Sequence, residues 1–301
     1  MAEKTRSPSH GQTSPTVPQR GSDRPSRGGA ARSVRLRYAI LLTAALLFLP
    51  PLSLLVQVTG DSNFCGTWCP RMFFLWRPGE SWNAYWFGYL RAYMGVALVL
   101  GILATTFLFG RHWCSHVCPI GAVMELGSRL VPGRLKIDYT RLPAPAFRYG
   151  YLGVYLLAPM LGIGSLCCGY CNFATVPRLL AAPFSAADAA YFLRTAGGIS
   201  LGLVLVLGFL AKGGRAYCNL LCPIGAIDAL ANALGAKLGR RRMVVCRANC
   251  TGCGKCQDVC PVWAIGEENG KAKIDAFSCM PCRICETACP TGAISYGKPS
   301  K

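Results

Sequence analysis

The run 250–261, CTGCGKCQDVCP, is answered eighteen residues later by 279–290, CMPCRICETACP. The spacings are Cys250-x2-Cys253-x2-Cys256-x3-Cys260-Pro261 and Cys279-x2-Cys282-x2-Cys285-x3-Cys289-Pro290. Two runs of this kind are the bacterial pattern for a pair of [4Fe–4S] clusters. Three closely spaced thiolates cap three irons of one cubane, and the fourth cysteine reaches across to the other. The expected ligand sets are therefore Cys250, Cys253, Cys256 and Cys289 for one cluster, and Cys279, Cys282, Cys285 and Cys260 for the other. Pro261 and Pro290 end the turns behind them. Ala-Ile follows each run, at 264–265 and 293–294, where a short strand is expected beside each cluster. Structural zinc needs only one or two such runs and tolerates other spacings.

The chain upstream has a different character. Of the 301 residues, 15% are charged and 52% are hydrophobic, where a soluble domain carries about 25% charged residues. So few charges cannot cover a water-facing surface of this size, which argues for a membrane part. Residues 1–37 hold almost no large apolar side chains and read as a disordered basic tail. Four uncharged stretches follow, at 38–60, 92–110, 149–166 and 195–211. They are read as four transmembrane helices, since crossing a bilayer core takes about 20 apolar residues. Residues 38–245 are thus expected to be an all-α membrane domain, and 246–301 a cytoplasmic α+β two-cluster domain.

The net charge of +19 is read as a topology signal. Of the 32 Lys and Arg, 8 lie in 1–37, 6 in 111–148 and 13 in 212–301, against 3 and 2 in the other two connections. Basic residues gather on the cytoplasmic side of a membrane. The expected location is the bacterial inner (cytoplasmic) membrane, multi-pass, with both termini cytoplasmic. Nucleic acid is disfavoured as a partner. Trp68, Trp76, Trp82, Tyr85, Trp86 and Tyr89 read as an interfacial aromatic belt.

The upstream part repeats itself. Cys114-Ser-His-Val-Cys118-Pro-Ile-Gly-Ala recurs 104 residues later as Cys218-Asn-Leu-Leu-Cys222-Pro-Ile-Gly-Ala. Cys65-x3-Cys69 likewise returns as Cys167-x3-Cys171. Each half is expected to be one hairpin with an inner and an outer cysteine pair. A C-x3-C pair has too few thiols for a cubane, but Cys114, Cys118, Cys218 and Cys222 together supply four ligands for a further iron–sulfur centre or another metal. The alternative is that they are small buried residues. For Cys65, Cys69, Cys167 and Cys171 a disulfide competes with a metal. Cys168 and Cys246 are spare. His112 and His116 flank Cys114 at i, i+4 spacing and are candidates for a haem or a quinone, or are plain interfacial residues. No C-x-x-C-H, phosphate-binding loop, dinucleotide fingerprint or nucleophile–base signature is present, so covalent c-type haem is excluded.

The four spans, the two inner Cys-x3-Cys-Pro motifs and the two-cluster tail make residues 38–296 resemble the NapH/MauN family of ferredoxin-type membrane proteins, within the wider NosR/CcoG-like polyferredoxins. The resemblance implies a membrane-bound electron carrier. NapH-type proteins are thought to carry electrons from quinol toward periplasmic nitrate reductase, and MauN-type proteins belong to methylamine utilisation. The ferredoxin-run cysteines carry over one by one, as do Cys114, Cys118, Cys218 and Cys222; the outer pairs have no counterpart in the NapH pattern. The expected function is iron–sulfur electron transfer between the quinone pool and a redox partner, with quinol dehydrogenase activity as its enzymatic form. The rival readings are a redox maturation or assembly factor for a periplasmic metalloenzyme, and an anchored iron–sulfur sensor.

Overall fold

The computed structural model describes residues 27–50, 52, 93–140, 142–161 and 170–298. Helix α1 is Arg27–Phe48, and α2 is Tyr93–Phe109. A π-helical turn, Trp113–Val117, leads into α3, Pro119–Leu130. Helix α4 is Ala144–Met160 and α5 is Asn172–Ala181. The short α6, Ala186–Tyr191, precedes α7, Thr195–Val204, which continues as a π-helical turn to Phe209. Helices α8, Ala216–Leu220, and α9, Pro223–Lys237, close the helical part. The tail holds β1 (Arg242–Val245), α10 (Lys255–Asp258), β2 (Ile265–Glu268), β3 (Lys271–Ile274), α11 (Ile284–Ala288) and β4 (Ile294–Gly297).

The four expected membrane-spanning helices are a misreading. Among the described residues, no helix is long and apolar enough to cross a membrane. The physical reason differs from stretch to stretch. Helix α1 has 22 residues, but it starts at Arg27, inside the stretch read as a disordered tail, and its first half carries Arg32, Arg35 and Arg37. Helix α2 is apolar throughout but stops after 17 residues, where Gly110 turns to φ +97°. Helix α4 also has 17 residues, among them Arg148. Helix α7 has 10, and its i→i−4 ladder changes to π-type bonding before Leu210 ends it. An uncharged stretch is thus not the same length as a helix. The all-α membrane domain and the multi-pass inner-membrane location rested on those spans and fall with them. The ends of the first and third stretches, and the aromatic belt, lie outside the described residues. The outer sides of α1, α2, α4 and α7 leave Leu42, Leu46, Leu100, Leu157 and Ile199 exposed.

The sequence repeat is visible as a repeated local design. Pro119 and Pro223 open α3 and α9, a position where the missing N–H costs nothing. The residues capping them are Cys118 and Cys222. Helix α3 packs on α1, and α9 packs on α2 and α4. The shared core is Leu49, Ile120, Met124, Val176, Val204 and Tyr217. Fully burying one such aliphatic side chain stabilises by about 1.5–3 kcal/mol.

In the tail, β1 pairs antiparallel with β4, from Arg242↔Gly297 to Val245↔Ile294. Strands β2 and β3 form a hairpin, Ile265↔Ile274 to Glu268↔Lys271. Asn269 and Gly270 turn it at φ +54° and +70°, as a two-residue loop matched to strand twist requires. Met243, Cys256, Ile265, Ala272, Cys285 and Ile294 make the tail core. The two Ala-Ile pairs thus lead into β2 and β4.

Candidate functional site

The tail brings its eight run cysteines together. Cys250, Cys253, Cys256 and Cys289 line one pocket. The backbone N–H of Ala293 donates to Cys289 Sγ at 3.3 Å. On the other side, burial first, and then Cys282, Cys279 and Cys260, push the Cys285 thiol upward. Burial and neighbouring Cys282 push Cys260 up to about 11. Its sulfur accepts from Ala264 N–H at 3.3 Å. Each sulfur cross-over cysteine therefore has a backbone donor waiting, the type of contact that stabilises a thiolate bound to iron. Four thiols lining one pocket fit a cubane. Among the described residues no three His, Cys, Asp or Glu close around a single metal ion. Cys253 is exposed, while Cys256, Cys282 and Cys285 are buried, so the first set meets the surface and the second faces inward.

The second set faces the inner cysteines. Cys114 packs with Cys260 and Cys279 against Val262, Ala264 and Met280. Cys118 and Cys222 pack on the helical core. Burial, then Cys218 and further on Cys118, push the Cys222 thiol up to about 12. Cys114 is raised by burial, then by Asp228, with Cys118 and Cys222 adding to it. Cys222 thus stands within electrostatic reach of the other three inner thiols. Cys222 Sγ also accepts from Gly225 N–H at 3.3 Å. Of the outer four, Cys65, Cys69 and Cys167 lie outside the described residues; Cys171 caps α5.

Buried arginines surround this centre, and the motif reading missed them. Arg111 donates from Nε to Asp228 at 2.9 Å, and from its other nitrogens to Gly225 O, Phe277 O and Ser278 O. Arg215 donates from Nε to Glu125 at 2.9 Å and from Nη1 to Cys114 O at 2.8 Å. Arg37 forks onto Glu125 at 2.9 and 2.6 Å and donates to Ser115 O at 2.7 Å. Burial alone would raise the Glu125 carboxyl, but Arg215 and Arg37 hold it down to about 2. The arginines cross between the halves: Arg111 reaches α9 and Arg215 reaches α3. The glycines of the repeated Cys-Pro-Ile-Gly-Ala make room for them. A Cβ at Gly121 would stand 1.9 Å from Arg215 Nη1, and one at Gly225 would stand 3.3 Å from Arg111 Nη2. A signal existed, because the repeat extends upstream as Gly110-Arg111-x2-Cys114 and Gly214-Arg215-x2-Cys218. Both of those glycines have positive φ.

His112 and His116 do not project from a regular helical face. Their rings stack at 5.2 Å, His112 at the N-cap of the π-helical turn and His116 within it, and His112 meets Tyr296 edge-on at 5.5 Å. Burial and the adjacent His112 pull His116 down to about 4, so it is neutral at physiological pH.

The family described as "4Fe-4S dicluster domain" matches residues 249–294. The family described as "4Fe-4S binding domain" matches twice, at 91–138 and 193–241, once over each inner cysteine pair. A "Methylamine utilization ferredoxin-type protein MauN" of Methylobacillus flagellatus is 32% identical over 172 residues, 56% of this chain and 54% of that protein. A "Ferredoxin-type protein NapH" of Haemophilus influenzae is 30% identical over 168 residues, 56% and 53% of the two chains. The chain is related to the NapH/MauN ferredoxin-type proteins. A third relative, the "Putative electron transport protein YccM" of Escherichia coli, is 24% identical over 54% of this chain and 45% of its own length. The chain spans about half the length of these curated relatives. No solved structure matches it. Its cofactors are [4Fe–4S] clusters.

Proposed function

We propose that the chain relays single electrons between a quinol-class donor and a redox partner protein, using three iron–sulfur centres. Cys250, Cys253, Cys256 and Cys289 hold one, Cys260, Cys279, Cys282 and Cys285 the second, and Cys114, Cys118, Cys218 and Cys222 the third. A [4Fe–4S] cluster accepts and returns one electron at a time, whereas a quinol gives up two. The observation that carries the reading is that Cys114 shares the Val262–Ala264–Met280 patch with Cys260 and Cys279. That patch joins the inner set to the second, and the second shares the tail core with the first, whose Cys253 is exposed. Beside the inner set, Tyr151, Tyr155, Tyr170, Phe173 and Tyr217 wall a cleft that reaches Cys222. Aromatic walls suit a planar ring stacked against them.

Iron content and EPR test the inner site. Three cubanes amount to about twelve iron atoms per chain and two to about eight. Cys118→Ser is expected to lower the iron content while the EPR signals of the tail survive. Replacing Cys222 as well should remove no further electron transfer, since ligands of one centre do not act additively. Full iron together with full quinol-linked reduction of the tail in Cys118→Ser would defeat the proposal.

A further inference from the structure

Of the four arginines that are at most 2% exposed, Arg37, Arg111, Arg148 and Arg215, Arg148 is the one with no carboxylate partner among the described residues. It is 1% exposed. Its Nε donates to Asn219 O at 2.8 Å, its Nη1 to Phe277 O at 3.0 Å, and its Nη2 to Ser278 Oγ at 3.2 Å and to Asn219 Oδ1. Asp275, a carboxylate whose charge acts on Arg148, accepts from Phe277 N–H and Ser278 N–H instead. Burying a charge without a counter-charge costs several kcal/mol. Arg37 and Arg215 share Glu125, and Arg111 has Asp228; Arg148 has only dipoles.

Where those dipoles sit identifies the missing counter-charge. Asn219 follows Cys218 directly, and its own Nδ2 donates to Val262 O, two residues beyond Cys260. Phe277 and Ser278 lead directly into Cys279. Arg148 therefore stands at the junction of the inner quartet and the inward-facing tail set. Four thiolates around a [4Fe–4S] core carry net negative charge, and each added electron makes it more negative. A fixed cation beside such a centre favours its reduced form.

We propose that Arg148 is a positioning residue that raises the reduction potential of the centre held by Cys260, Cys279, Cys282 and Cys285, while pinning the Cys218 turn against it. The inference rests on the ligand sets proposed above, and Cys282→Ser, by deleting one EPR signal, identifies the signal concerned independently of Arg148. The experiment is an EPR-monitored redox titration of the full chain with Arg148→Gln and Arg148→Lys, with iron and sulfide measured on the same samples. Arg148→Gln is expected to keep its iron and to move the identified signal to a more negative potential. Arg148→Lys, which keeps the charge and loses the fork, is expected to stay near the wild-type potential. An iron-loaded Arg148→Gln with unchanged potential overturns the proposal, as does a lysine variant shifted as far as the glutamine one. If Arg148→Gln loses iron, retention by Arg148→Lys upholds the role of the charge, and loss from both overturns it in favour of packing.

Discussion

Replacing Glu125 by Gln should cost more stability than any ordinary surface change, and the cost should vanish in acid. Glu125 is 2% exposed and accepts from two guanidiniums that are fully buried, Arg37 and Arg215, and from Tyr38 Oη at 3.0 Å. The amide keeps the shape and removes the charge, leaving two buried cations uncompensated. Breaking a buried pair from one side costs about 3–5 kcal/mol. The carboxyl gives a second route to the same figure. Its pKa falls from 4.5 to about 2, which at about 1.4 kcal/mol per unit corresponds to roughly 3 kcal/mol. For a chain of this size that lowers the unfolding midpoint by roughly 10 °C. The sign with pH follows from the depressed folded pKa. The stabilisation is full above the unfolded pKa of 4.5 and disappears as pH falls through about 2. Thermal unfolding followed by circular dichroism, at pH 7 and at steps down to pH 2, measures the gap between wild type and Glu125→Gln. A gap below about 2 °C at pH 7, by the same conversion, or one that stays constant down to pH 2, would refute the reasoning.

Two further substitutions probe close approaches. Gly121→Ala places a Cβ 1.9 Å from Arg215 Nη1, so the guanidinium must leave Cys114 O or Glu125; the expected result is a lower unfolding midpoint and reduced iron in the inner quartet, read by iron analysis beside the intact tail EPR signals. Gly213→Ala combines φ +85° with a Cβ only 2.5 Å from Pro261 Cα, and should destabilise by roughly 1–3 kcal/mol from the backbone conformation alone, seen in the thermal midpoint; an unchanged midpoint would mean that the loop behind Cys260 shifts freely.

The tail was legible in sequence because cluster geometry dictates cysteine spacing, so Cys250 to Cys260 and Cys279 to Cys289 announce their grouping without any knowledge of the fold. The hairpin turn at Asn269-Gly270 was legible in principle for the same local reason. The inner quartet was legible as a repeat, since Cys-Pro-Ile-Gly-Ala occurs twice. The spans were misjudged because absence of charge says nothing of where a helix stops: Gly110 ends α2, and α7 slides into a π-helical turn. The arginines were misjudged because charge was counted rather than located. Arg37, Arg111, Arg148 and Arg215 entered the topology argument as flanking basic residues, yet each is at most 2% exposed. Only tertiary structure reveals that Glu125 and Asp228, set among apolar neighbours in α3 and α9, are their partners.

The crossed arginines also bear on how much rearrangement accompanies each electron. A charge that appears in a protein costs least where the surrounding dipoles are already oriented and need not turn. Arg111 is tethered by all three of its nitrogens, and Arg215 is tethered to both Glu125 and the chain at Cys114. Neither guanidinium has anywhere to swing when the local charge changes by one. A medium this stiff relaxes little in response to an electron arriving, and equally little in response to one leaving. If the inner quartet holds the third centre proposed above, its lining favours neither direction of transfer, and the sense of flow is left to the potentials of whatever stands at either end.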